Sequence, residues 1–102
     1  MYTKEQALKI GGNEWKNRVY FNDLYQLYGL KINRYNSGSL SSATLNGEPI
    51  SNSEANRICD RLSGLRVFLN TDDGNLYAQR GSRTTQDDLN VIIAALKTAL
   101  LD

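Results

Sequence analysis

Arg18-Val19-Tyr20-Phe21-Asn22 recurs, with two exchanges, as Arg66-Val67-Phe68-Leu69-Asn70. Both stretches are rich in β-branched and aromatic residues, so both predict strands. Side chains alternate across a strand. Val19 and Phe21 therefore share one face with the character of core, as do Val67 and Leu69. Arg18, Tyr20 and Asn22 share the opposite face, and so do Arg66, Phe68 and Asn70. Arginine beside an aromatic ring on that second face is the principal functional clue in the chain.

Outward from this phrase the pattern alternates between helix and strand. Thr3 followed by Gln6 is a capping box for a short helix from about Lys4 to Ile10, ended by Gly11-Gly12. Trp15 then approaches the first strand and reads as a lid over the edge of the core. Leu24, Leu27 and Tyr28 have helical spacing behind Asn22 or Asp23 as cap, with Gly29 as terminator. Leu30 to Tyr35 predicts a second strand and Leu40 to Leu45 a weaker, serine-rich one. The Asn46-Gly47 pair is a tight-turn signal. Pro49 limits Glu48 to Ile50 to a short edge piece at most.

Ser51 to Glu54 is a second capping box, opening a helix from about Asn52 to Ser63 with Ala55, Ile58, Cys59 and Leu62 on one stripe. The second copy of the repeated phrase runs through Thr71-Asp72-Asp73-Gly74 into a return strand, Asn75 to Arg80, forming the clearest hairpin of the chain. Thr84 or Thr85 starts a final helix striped by Leu89, Ile92, Ile93, Leu96 and Leu100. The acidic pair Asp87-Asp88 suits its first turn. The sum is an α+β domain in the order α-β-β-β-α-β-β-α. It comprises a small antiparallel sheet of about five strands with two to three helices packed mainly on one face. At 102 residues the chain predicts a single domain with a genuine core.

The composition narrows the chemistry. Histidine is absent and Cys59 is the single cysteine, so zinc sites and Ser-His or Cys-His pairs cannot be assembled in the usual way. No cofactor, metal or catalytic constellation is expected, and the chain reads as a non-enzyme. The lone cysteine and the lack of an Asn-x-Ser/Thr sequon favour a reducing, cytoplasmic setting. No apolar run is long enough to span a membrane, and the first ten residues lack the layout of a secretory signal. Asp72-Asp73-Gly74-Asn75 is a hairpin turn rather than a calcium loop, since the alternating ligands and closing glutamate are missing. Asn36-Ser37-Gly38-Ser39 is a plain turn, and Tyr25 and Tyr28 are flaps on the core.

Twelve basic residues nearly balance eleven acidic ones, but the two are distributed unequally. The predicted strands hold Arg18, Lys31, Arg34, Arg66 and Arg80 and no acid. The acids lie in helices, caps and turns, with Asp102 at the end. If the helices cover one sheet face, the other presents Arg18, Tyr20, Lys31, Tyr35, Arg66, Phe68 and Tyr77 as candidate partner-binding residues. Tyr and Arg carry interface energy well, so a protein partner is the first expectation. The chain would then be a small binding module, of a size suited to a regulator or a phage- or plasmid-type inhibitor. Single-stranded nucleic acid is the alternative, because bases stack on rings and cations meet phosphates. Neither the aromatic signature of an RRM nor the Gly-x-x-Gly clamp of a KH domain is present. A solvated face with no assignable activity is the remaining alternative.

Overall fold

A computed structural model describes residues 1–101; Asp102 lies outside them. Eleven elements follow one another: α1 (Lys4–Lys9), β1 (Gly12–Trp15), β2 (Arg18–Phe21), α2 (Leu24–Tyr28), β3 (Leu30–Arg34), β4 (Leu40–Leu45), β5 (Glu48–Ile50), α3 (Asn52–Leu62), β6 (Arg66–Asn70), β7 (Leu76–Gln79) and α4 (Gln86–Leu101). The architecture is α+β, as the segregated hairpins and helices predict. It differs from the expectation in its sheets and counts. Seven described strands form two antiparallel sheets, one ordered β1-β2-β6-β7 and the other β3-β4-β5, with four helices.

The two copies of the repeated phrase are neighbours. β2 pairs with β6, setting Arg18 opposite Asn70, Val19 opposite Leu69 and Tyr20 opposite Phe68. The three-stranded sheet is an insertion between the two hairpins of the larger one. Its own closure is local: Asn46 and Gly47 both take positive φ (52° and 85°) in the two-residue turn from β4 to β5, the geometry that an Asn-Gly hairpin supplies. Pro49 sits in the edge strand, where no ladder donor is needed.

Several caps follow the sequence. Thr3 and Gln6 make both halves of the box at α1. At α3 only half of the expected box forms: Ser51 accepts from the Glu54 N–H, while the Glu54 carboxylate turns to Arg57. At α4, Thr85 Oγ1 accepts from Asp88 N–H and Asp88 Oδ2 accepts from Thr85 N–H, each at 3.1 Å.

One continuous core joins both sheets and all the long helices. Val19, Val67 and Leu69 of the larger sheet meet Leu30 and Ala43 of the smaller one, Ile58 and Leu62 of α3, and Ile92 and Leu96 of α4. α1 closes the near end through Ala7. A Cβ built on Gly12 would stand 2.4 Å from Val19 Cγ1 and 2.9 Å from the Ala7 carbonyl oxygen, so the helix lies almost against the strand backbone there. The inner face of the larger sheet is thus the Val19–Leu69 side, as the alternation predicts.

Candidate functional site

The outer face of the four-stranded sheet is built around one row of rings. Tyr20 lies opposite Phe68, and Phe68 opposite Tyr77, on three successive strands. Their centroids are 5.2 and 5.7 Å apart, with the first pair tilted and the second stacked. Such contacts add about 1 kcal/mol each beyond area burial. Arg18 lies over Phe68, with its guanidinium carbon 4.3 Å from the ring centroid, and donates to Tyr20 Oη at 3.0 Å. The phrase Arg-Val-Tyr-Phe of β2 thereby places a cation and a phenol on one side and two apolar anchors on the other.

β1 adds a residue that the sequence reading assigned elsewhere. Trp15 pairs with Arg18 across the hairpin and stands on this outer face, 63 % exposed, rather than lidding the core edge. The turn that delivers it, Lys16-Asn17, contains no glycine; Lys16 adopts φ 56° and its Nζ lies 5.5 Å from the Trp15 ring centroid. Asn17 ties this turn to the next hairpin: its Nδ2 donates to Asp72 Oδ2 at 2.9 Å, and its carbonyl accepts from Thr71 N–H.

The candidate residues fall into two groups. Arg18, Tyr20, Arg66, Phe68 and Tyr77 share the outer face of the larger sheet. Arg66 and Tyr77 are exposed there and Arg18 and Tyr20 are half-buried. Phe68 departs from the expectation of a presented ring: it is 5 % exposed, roofed by its neighbours on the same face. Lys31 and Tyr35 do not join them. Lys31 belongs to β3 of the other sheet, and Tyr35 lies just beyond that strand in the turn closed by its N–H to the Ser39 carbonyl. Two sheets, not one, separate them.

The charge pattern also changes. The strands are not free of acids, since β1 contains Glu14 and β5 contains Glu48. Glu14 faces α1, where it meets Lys4 Nζ at 3.3 Å. Asp73 enters the candidate face itself. It accepts from the Tyr77 hydroxyl and from Asn75 N–H. The phenol's hydrogen bond holds the Asp73 carboxyl below the usual range, and the same bond pushes the Tyr77 hydroxyl up.

A second polar cluster escaped the sequence reading. Asp88, 2 % exposed, receives Arg61 Nε at 3.1 Å and the Tyr28 hydroxyl at 2.9 Å. Arg61 Nη2 also donates to Tyr28 Oη at 3.2 Å. The cluster joins α2, α3 and α4. Burial pushes the Asp88 carboxyl up, but donors from Thr85, Tyr28 and Arg61 outweigh it and leave it below its ordinary value. Burial and the Asp88 acceptor raise the Tyr28 phenol, and the Asp88 hydrogen bond raises Arg61. Every member is partnered, which is the signature of a structural clasp. The capping distance from Thr85 to Asp88 was legible; the arrival of Arg61 and Tyr28 from other helices was not.

Elsewhere the chemistry is sparse. Among the described residues, no group of His, Cys, Asp and Glu could hold a metal ion. No helix among them is long and apolar enough to cross a membrane. Cys59 is half-buried, and burial raises its thiol above the ordinary value despite the influence of Arg34. An open groove of about 870 Å³ runs between β7 and α4, walled by Leu76, Ala78, Leu89, Ile93 and Ala94. Compared with family models, curated proteins and solved structures, the chain matches none.

Proposed function

We propose that the protein is a non-catalytic binding module that docks a protein partner on the outer face of its four-stranded sheet. The observation carrying this reading is the floor of rings, Tyr20–Phe68–Tyr77, locked by Arg18 and bordered by the exposed side chains of Trp15 and Arg66. Rigid aromatic anchors on a strand face lose little rotamer freedom on binding, and Trp, Tyr and Arg are the residue types that dominate interface energies. Arg66 is an exposed cation of the face, as is Lys16 beside Trp15, so the partner's matching patch offers a carboxylate to Arg66 and flat apolar ground to Trp15. A cytoplasmic regulator or inhibitor is the role that suits such a module.

The alternative, single-stranded nucleic acid, draws on the same rings and cations. Asp72 and Asp73 weigh against it, because both bring negative charge to the hairpin end of this sheet, beside Asn17 and Tyr77. A catalytic role draws little support from the acids. The buried carboxylate, Asp88, is saturated by donors and holds its proton less readily than a free aspartate.

Affinity capture with wild type, Trp15→Ala, Arg66→Ala and Lys31→Ala tests the reading. The first two variants are expected to bind a captured partner at least about tenfold more weakly, while Lys31→Ala, on the other sheet, binds as wild type. Equal retention by all four proteins overturns it. Titration with single-stranded oligonucleotides in low salt is expected to give no binding; tight, steeply salt-dependent binding would replace the protein partner with nucleic acid.

A further inference from the structure

β7 is an edge strand with no strand beside it on its far side among the described residues. Its pairing with β6 fixes which backbone groups are free. Asn70 N–H donates to the Asn75 carbonyl at 3.0 Å, and hydrogen-bonded pairs alternate along an antiparallel ladder. Phe68–Tyr77 and Arg66–Gln79 are therefore the bonded pairs, and the N–H and C=O groups of Leu76 and Ala78 point out of the sheet. The four-residue strand Leu76-Tyr77-Ala78-Gln79 carries no charge, no proline and no register shift, and Tyr2 N–H covers this edge only at the Gly74 carbonyl, at its hairpin end. On its inner side the groove beside α4 leaves Ala78 exposed and Leu76 half-covered.

We propose that this edge joins two copies of the chain, β7 pairing antiparallel with β7 of the second copy about a two-fold axis at Tyr77. The two four-stranded sheets then become one sheet of eight. The inference goes beyond the partner reading and uses the free edge of β7, sharing only Tyr77 with the docking face.

Symmetry selects a second copy as the occupant. With the axis at Tyr77, the outward groups of Leu76 meet those of Ala78 in the other copy, and the reverse, so all of them are satisfied at once. Side-chain sizes agree with that register: Leu76 stands against the small Ala78 on the groove side. On the outer side Tyr77 stands against Tyr77 in a close, non-bonded pair, and the row Tyr20–Phe68–Tyr77 continues into the second copy. Charge selects the direction. Asp72 and Asp73 precede the strand and Arg80 and Arg83 follow it. Antiparallel pairing brings the acidic end of one copy towards the basic end of the other, whereas parallel pairing would set like charges together. Ile93 and Ala94 of α4 line the same groove as Leu76 and Ala78, so pairing at β7 would narrow this partly apolar groove.

Sedimentation of the wild type from about 1 μM to about 1 mM tests the contact, with dimer expected to dominate at the upper end. Ala78→Pro removes an N–H that β6 does not use, so it should leave the far-UV circular dichroism unchanged and weaken self-association at least about tenfold. Ala78→Lys, which charges the edge, should do the same. In a Cys59→Ser background, mild oxidation should cross-link Tyr77→Cys into a dimer and leave Gln79→Cys monomeric. This arm also decides the matter should the proline variant misfold. A wild type that stays monomeric at the highest concentration overturns the proposal, even if it captures extended peptides. So does a folded Ala78→Pro protein that remains dimeric, or cross-linking at position 79 in place of 77. Partner capture by monomeric Ala78→Pro is expected to survive, which separates failure of this inference from failure of the partner reading.

Discussion

Arg18 covers Phe68: the guanidinium carbon lies 4.3 Å from the ring centroid, on the side of the sheet that carries no helix-facing core residue. The ring is consequently interior in all but topology, with 5 % of its surface exposed. Phe68→Ala should behave as a core truncation, costing about 3–5 kcal/mol. Tyr77→Ala, two-fifths exposed on the same row, should cost less, about 1–2 kcal/mol. Urea denaturation of both variants checks the ordering, and equal costs would mean that the cover over Phe68 is open in solution.

Asp88 is the second place where one residue holds several elements. Asp88→Ala should destabilise by about 3 kcal/mol, because it strips the acceptor from Arg61, Tyr28 and the α4 cap together. Tyr28→Phe should cost about 1 kcal/mol, and the two losses should be less than additive in a double-mutant cycle. The pH dependence has a definite sign. The folded-state pKa of Asp88 is lowered, so its contribution is full above the unfolded value of about 3.9 and disappears as pH falls through the folded value. Acid titration of stability should therefore be shallower in Asp88→Asn than in wild type.

The repeated phrase carried more of the fold than any other segment. It predicted which sides of β2 and β6 face the core, because period-two alternation is imposed by the backbone itself. The α4 stripe was equally legible, since Leu89, Ile92 and Leu96 satisfy the helical repeat. What could not be read was which strand meets which. β3, β4 and β5 are joined by short local turns, Asn46-Gly47 between the last two, whereas β2 and β6 pair across the whole insertion between them. Periodicity assigns faces and is silent on such long-range choices, so one sheet was expected where two exist, and Lys31 and Tyr35 were grouped with residues on the other. Trp15 was misplaced for a local reason: the positive-φ position of its hairpin turn is held by Lys16, leaving Asn17 alone as a weak turn signal.

Gly12 marks the closest approach of α1 to the sheet. Its φ is not in the left-handed region, so a substitution there is penalised by space alone. Gly12→Ala should cost about 1–3 kcal/mol through the clash with Val19 and the Ala7 carbonyl. Gly38→Ala meets nothing within 4 Å but requires φ +92°, and should cost only about 1 kcal/mol. Thermal unfolding distinguishes them; a Gly12→Ala protein as stable as wild type would show that the helix lifts away freely.

Cys59 lies half-buried on α3 with its thiol raised above the ordinary value. At neutral pH the folded protein should react with a thiol reagent more slowly than the same chain in denaturant, because the thiolate is the reacting form. Matching rates in the two conditions would contradict the burial of the sulfur.

The sole indole of the chain, at position 15, is already wetted in the native fold. Its fluorescence should thus change little when the chain melts, and an emission-based denaturation curve would have a small amplitude. The same indole becomes a label-free optical reporter of docking: a ligand covering the sheet would dry the ring and shift its emission to the blue, whereas self-pairing at the opposite edge would leave the spectrum almost unmoved.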